Sequence, residues 1–336
     1  MREVIRLNKR SGVPFNINLF VTWLYAMGIK MYTKQIRKNL FMVDLQTGGR
    51  HNLIASYVLK GDKTIIVESG PSSSIQNLLA GLEEIDIRPV DVAYIALTHV
   101  HVDHCGGVGT LLKSLPNAKV IVHPRGASHL KDPAKLWSAT RKVLGEVAEI
   151  FGEPEPVPEN RVVVSKENTV ICGGGQVNLK VVEAPGHASH NLCYYEQCSR
   201  VLFTGDSAGA YLPEFGTVFP TTPPPFHADA SLITLDKLVL LDPKILCYSH
   251  FGSTFNAIKQ LQDYKSQIKL WLSISYEGLK KSQSLDEIKE AIFSGDPRIR
   301  DVVSHVRGNP IHQKTLLENS VQGFVDFARK NPSQLY

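Results

Sequence analysis

Thr98-His-Val-His-Val-Asp-His-Cys-Gly-Gly107 is the stretch on which the reading of this chain turns. Four side chains able to hold a metal, His99, His101, Asp103 and His104, fall within six positions. The apolar run Val92–Leu97 before them predicts a strand, and in extended backbone alternate side chains point the same way. The spacing therefore predicts that His99, His101 and Asp103 share one face. A turn after the strand would bring His104 beside them. Histidines that merely face solvent have no need of this alternation, and a core strand tolerates it only around a cation.

Three further sites of the same chemistry lie downstream. His187 sits in Ala-Pro-Gly-His-Ala-Ser-His-Asn (184–191), Asp206 in Leu-Phe-Thr-Gly-Asp-Ser-Ala-Gly (202–209) and His250 in Cys-Tyr-Ser-His-Phe-Gly (247–252). Each follows a short apolar run, and loops at strand ends are where a rigid scaffold displays reactive groups. The ordered set HxHxDH, His, Asp, His resembles the metallo-β-lactamase superfamily, over roughly residues 48–254. The resemblance implies a four-layer αβ/βα sandwich, an α/β fold of two facing mixed sheets with helices outside. Periodicity by itself shows only alternating α and β segments.

The resemblance also implies roles. His99, His101 and His187 would bind one divalent metal; Asp103, His104 and His250 would bind a second, with Asp206 bridging. Zinc is the first expectation, iron or manganese the alternatives, since imidazole and carboxylate donors suit all three. Asp103 would also orient or move a proton, and Tyr211, five residues after Asp206, is a candidate proton donor. The implied activity is hydrolysis of a small carbonyl compound: an ester, lactone, thioester or lactam. The steps of 19 residues from His187 to Asp206 and 44 to His250 are similar to those of lactonases; glyoxalase II is a second likeness. Residues 188–191, Ala-Ser-His-Asn, and the offset of Tyr211 depart from the lactonase pattern. Two other chemistries occur on these ligands. One is a persulfide dioxygenase with a single iron on two His and one Asp, against which the complete second ligand set argues. The other is phosphodiester cleavage.

Charge bears on the last of these. The chain of 336 residues has a net charge of +5, but residues 1–40 hold eight Lys/Arg against the single acid Glu3. The rest carries a net −2 and offers no general attraction for nucleic acid. A small-molecule substrate is expected, and a homo-oligomer is left open. The 21% charged and 8% aromatic residues exclude a disordered chain. Leu19–Ile29 is an apolar run of 11 residues behind a basic start, too short for a bilayer span, which takes about 20. It reads as an arm, or as translation ahead of a start at Met31 or Met42. With no longer apolar run elsewhere, a cytoplasmic protein is expected. Among five cysteines no Cys-x-x-Cys occurs, and Cys193 and Cys198 flank a hairpin turn as reduced thiols rather than a bridge.

Three regions follow: a basic extension (1–47), the catalytic body (48–254) and a helical C-terminal part (255–336). Within the body, 124–160 reads as a helical insertion with Leu136, Val143, Leu144 and Val147 as its apolar stripe. Phe219-Pro-Thr-Thr-Pro-Pro-Pro-Phe226 cannot pair in a central strand and is expected to wall the pocket. Phe219, Phe226 and Phe251 would supply an apolar rim. Thr98 and Ser249 are candidates to hydrogen-bond ligand imidazoles, His190 to stand behind the ligands, and Arg125 to tie down the insertion or meet a carboxylate.

Overall fold

The computed structural model describes residues 31–175 and 177–332. The apolar run 19–29 and most of the basic leader lie outside them. Seven strands form the first sheet in sequence order: β1 (Thr33–Arg37), β2 (Leu40–Asp44), β3 (Ala55–Leu59), β4 (Thr64–Val67), β5 (Val92–Ala96), β6 (Lys119–Val122) and β7 (Val162–Val164). The sheet is antiparallel from β1 to β4 and parallel from β4 to β7. The sheet thus begins at Thr33, whereas the sequence reading placed everything before residue 48 in an extension.

The second sheet uses β8 (Val170–Gly174), β9 (Val177–Glu183), β10 (Leu192–Glu196), β11 (Val201–Gly205), β14 (Ile245–Tyr248) and β15 (Gly252–Thr254), in the order β15-β14-β11-β10-β9-β8. A small hairpin, β12 (Ala210–Leu212) with β13 (Thr217–Phe219), stands apart.

Strand alternation builds three cores. Tyr57, Ile65, Ala96, Tyr194, Phe203 and Cys247 pack between the sheets. Their neighbours Val58, Ile66 and Ile95 face outward onto the first helical layer, and Leu202, Leu246 and Tyr248 face the second. This is the four-layer sandwich the motifs implied. Each of these fully buried large side chains contributes about 1.5–3 kcal/mol relative to exposure.

The first helical layer comprises α1 (Ile75–Glu84), α2 (Val102–Cys105), α3 (Val108–Leu112), α4 (Ala127–Lys131), α5 (Ala134–Leu144) and α6 (Glu146–Phe151). Ile75, Leu78 and Leu82, one face of α1, are buried against the sheet. The second layer comprises α7 (Ala228–Leu240), α8 (Ala257–Lys280), α9 (Leu285–Gly295), α10 (Val303–Arg307), α11 (Pro310–His312), a π-helical turn (Gln313–Asn319) and α12 (Ser320–Lys330). Its centre is Trp271, whose indole N–H donates to Asp296 at 2.9 Å, beside Gln267 at 2.8 Å.

Two expectations are corrected. Phe219, Phe226 and Phe251 are buried in the core rather than set around a rim. Phe219 lies 5.5 Å from Trp271 and Phe226 5.0 Å from Phe324. The aromatics anchor the proline loop inward, because burying them on the C-terminal helices outweighs any gain at a wet edge. The insertion's stripe also meets the core only in part: Val147 is buried there and Leu136 and Leu144 pack against it, whereas Val143 does not. Helix α5 ends at Leu144, before Gly145 with φ +57, and Val143 is 51% exposed. The described residues contain no helix long and apolar enough to cross a membrane. Cys193 is buried and Cys198 exposed, and neither is bridged.

Candidate metal centre

The ends of β5, β9, β11 and β14 meet at one edge of the sandwich. Main-chain bonds fix their spacing there: Leu192 N–H donates to Thr98 O, and Ala55 N–H to Ser249 O, both at 2.8 Å. Two tyrosines reinforce the join. Tyr194 donates to Leu97 O, and Tyr57 lies 2.6 Å from the carbonyls of both Tyr248 and Gly252.

After β5 the backbone stays extended to His101, which has φ −70 and ψ 147 and precedes α2. The expected alternation therefore holds for His99 and His101 only. Asp103 and His104 are carried by the first turn of α2, and the two glycines after it stay right-handed, with φ −58 and −80, Gly107 packing so closely that a Cβ there would fall 2.2 Å from Ile75 Cδ1. The outcome is two clusters from one motif.

In the first cluster, His101 Nδ1 lies 3.0 Å from His99 Nε2 and 2.9 Å from His187 Nε2. In the second, Asp103 Oδ2 lies 3.2 Å from His250 Nε2 and 3.6 Å from His104 Nε2. Asp206 stands between them. Its Oδ1 is 3.3 Å from His104 Nε2, and its Oδ2 is 3.7 Å from both His187 Nε2 and His250 Nε2. Gly205, with φ +51, makes that approach feasible, since a Cβ there would fall 2.5 Å from Thr98 Oγ1.

Three of the ring nitrogens facing away from the clusters are hydrogen-bonded, and a fourth, on His104, faces a carboxylate. His187 Nδ1–H donates to Thr221 O at 2.6 Å, and His250 Nδ1–H to Leu53 O at 3.3 Å. His99 Nδ1 is 3.0 Å from Thr98 Oγ1, whose hydroxyl in turn donates to Glu68. His104 Nδ1 lies 3.4 Å from Glu68 Oε1. These outer contacts fix tautomers so that each Nε2 presents a lone pair inward.

Neutral nitrogens converging at about 3 Å repel one another unless a cation sits among them. His104 Nε2 and Asp206 Oδ1 are buried with no hydrogen bond. Burial pulls His99 well below its ordinary pKa and His101 down to about 3, with neighbouring imidazoles adding to both. In the second cluster burial works against the charged forms, but opposite charges outweigh it. Asp103 is held well below the usual carboxylate range by His104 and His250, and His104 is held up to about 10 by Asp206, Asp103 and Glu68. One cluster repels protons and the other draws positive charge. Three groups whose donor atoms approach within 4.8 Å, His99/His101/His187, Asp103/His104/His250 and Glu68/His99/His104, could hold a cation. The donor set fits divalent metal ions.

Glu68 was not singled out in the sequence. It follows the apolar strand β4 directly, with its side chain wholly buried, and Ser249 Oγ–H also donates to it at 3.2 Å. A carboxylate at the end of an apolar run, ahead of Ser-Gly-Pro, was the available signal. Thr98 thus acts on His99 as expected, whereas Ser249 acts through Glu68. His190 lines the pocket, accepts the Val100 N–H at 3.3 Å and is pulled by burial to about 4. Arg125 reaches Ser189 O on the surface. Tyr211 is buried, stacks on Tyr248 at 5.2 Å and lies outside the residues lining the pocket. Its backbone holds the His250 loop, donating to His250 O and accepting the Phe251 N–H at 3.2 Å.

A family description, the metallo-beta-lactamase superfamily, matches residues 51–250. The chain belongs to that superfamily. A metallo-beta-lactamase fold-containing protein from Sulfurisphaera tokodaii, ST1585, is 33% identical over 200 residues, 58% of this chain and 72% of its own. A crystal structure of ST1585 superposes with a TM-score of 0.61 at 28% identity, covering 82% of this chain and 93% of that one. A superfamily protein from Thermus thermophilus, TTHA1429, shares the fold with a TM-score of 0.62 at 19% identity, covering 83% and 89%. A hydroxyacylglutathione hydrolase of Cupriavidus metallidurans is 24% identical over 258 residues, 74% of this chain and 78% of its own. The superfamily relatives named for an activity include hydrolases, and the His-rich clusters here are candidate metal sites.

Proposed function

We propose that the protein is a dinuclear metal-dependent hydrolase of a small carbonyl substrate, an ester, thioester, lactone or lactam. The observation that carries this reading is Asp206, whose Oδ2 lies 3.7 Å from both His187 of the first cluster and His250 of the second, with Oδ1 3.3 Å from His104. Two divalent cations held about 3.5–4 Å apart would supply an activated water and polarise the carbonyl.

The chain's own groups do the rest. His99, His101 and His187 hold one position, and Asp103, His104 and His250 the other. Asp206 fixes the distance between them. Asp103, at the pocket wall, would orient the attacking water and relay its proton toward the leaving group. Tyr211 is left to packing: its ring is stacked under the His250 loop. The hydroxyacylglutathione hydrolases among the relatives cleave a thioester, in line with this reaction class.

The test is elemental analysis of purified protein together with Asp206→Ala. Close to two divalent ions per chain, with loss of at least one ion and nearly all turnover of thioester and lactone panels in D206A, is the expected result. A single iron with an empty second position would overturn the reading and direct attention to oxygen-consuming thiol chemistry.

A further inference from the structure

The pocket above the metal centre, about 320 Å³, has walls that the ligand motifs do not provide. One wall is α5, through Leu136, Ala139, Val143 and Leu144; the other is the π-helical turn, through Thr315, Leu316 and Asn319; Pro223 and Pro224 close a third side. Trp137 of α5 is buried in the core and Leu136 and Leu144 pack against it, but Ala139 and Val143 are exposed and turn that side of the helix to the cavity. The threonines add little polarity. Thr140 donates to Leu136 O at 2.9 Å and Thr315 to Ile311 O at 2.8 Å, each within its own helical turn.

Charge is missing from these walls. Among the described residues, the lining includes no Lys, Arg or Glu; its two acids, Asp103 and Asp206, belong to the metal centre, and the only titratable groups beyond the candidate ligands, His129 and His190, lie off α5 and the π-helical turn. An anionic group on the far part of a substrate would lose its water here without gaining a cation. Val143 and Leu144 also line a second depression, about 440 Å³, bordered by Lys142, Lys314 and Glu318.

Resting on the hydrolase reading, we infer that the substrate carries an uncharged aliphatic chain lying between α5 and the π-helical turn, with Ala139, Val143 and Leu316 selecting it. The bond from the acyl carbon to its oxygen, sulfur or nitrogen breaks. Water adds oxygen to that carbon and a proton to the departing heteroatom, and no other reactant is required.

The experiment uses the full-length, metal-loaded protein and p-nitrophenyl esters from acetate to dodecanoate, with the mono-ester of adipic acid as the anionic counterpart of hexanoate. The expected kcat/KM rises roughly fourfold per methylene to a plateau, and the adipate ester is at least tenfold poorer than hexanoate. In Ala139→Trp the ratio of decanoate to acetate falls at least tenfold. In Val143→Lys the adipate-to-hexanoate ratio rises. A flat dependence on chain length, or a preference for the anionic ester, overturns the inference. If no ester, thioester or lactone is turned over with two metals bound, the hydrolase reading fails by itself. The chain site is then judged by displacement of the neutral fluorophore N-phenyl-1-naphthylamine with decanamide and acetamide. Displacement by decanamide alone, weakened in A139W, upholds the site; displacement by neither overturns it.

Discussion

Glu68 holds its carboxylate 3.4 Å from His104 Nδ1 at a point closed to solvent on both sides. Three outer contacts of the centre converge on it: His104, the Thr98 hydroxyl that meets His99, and the Ser249 hydroxyl. Replacing it with Ala leaves those donors buried and unsatisfied, at a cost of about 3 kcal/mol. Metal affinity should fall about 10- to 100-fold, the usual effect of losing an outer partner. Urea unfolding and competition with a chromogenic chelator measure the two effects. Unchanged affinity in E68A would remove Glu68 from any part in holding His104.

Removing metal should loosen the fold itself. The converging lone pairs of His99, His101 and His187 are a native-state feature that only a cation neutralises. With metal about a thousandfold above Kd, binding adds roughly 4 kcal/mol of stability. Denaturant midpoints with and without chelator should differ accordingly; coincident curves would contradict the site.

The proline loop should transmit changes in α12 to His187. Thr222 is bonded at both N and Oγ1 to Ser320, and Ser320 Oγ–H donates to Pro220 O. A Cβ on Gly323 would fall 1.7 Å from Thr222 O. Gly323→Ala must push the loop away, at about 2–3 kcal/mol, and shift the Thr221 carbonyl that accepts from His187. We expect one of two metal sites to weaken about tenfold, with Ser320→Ala milder. Metal titration by calorimetry separates the two sites.

Acid should destabilise the protein through His312, among other groups. Burial, with the nearby cations His250, His305 and Arg50, pulls its pKa to about 4, against about 6.5 in the unfolded chain. Between those values the unfolded state binds more protons, so stability rises with pH. This contribution is fully present above about 6.5 and is lost as pH falls toward 4, amounting to roughly 3 kcal/mol. His312→Leu should flatten that part of the stability profile; an unaltered profile would show that His312 is not its source.

The seven donors were legible because each is tied to a strand end, and apolar runs mark strand ends. What sequence could not give was which backbone carries them. Asp103 was read on an extended face and sits on a helical turn, since nothing local distinguishes a longer strand from a short helix begun at Val102. Strand β1, Thr-Lys-Gln-Ile-Arg, was invisible because an edge strand exposed on both faces has no alternation to read. The π-helical turn was read simply as helix, because a segment of seven residues is too short for its wider period to show. Glu68 was missed for the opposite reason: a single acid has no pattern, and its partners come from 30 to 181 residues away.

The two main-chain bonds at the strand ends, Leu192 to Thr98 and Ala55 to Ser249, tie one half of the chain to the other beside the ligands of both. Neither half alone encloses a complete donor set: His99, His101, Asp103 and His104 come from the first, and His187, Asp206 and His250 from the second. With ions held at the proposed centre, prising the halves apart and releasing them would be one event. A chelator would report on how firmly the halves are joined, and a loop graft that preserves those two bonds would inherit the spacing of the centre with the scaffold.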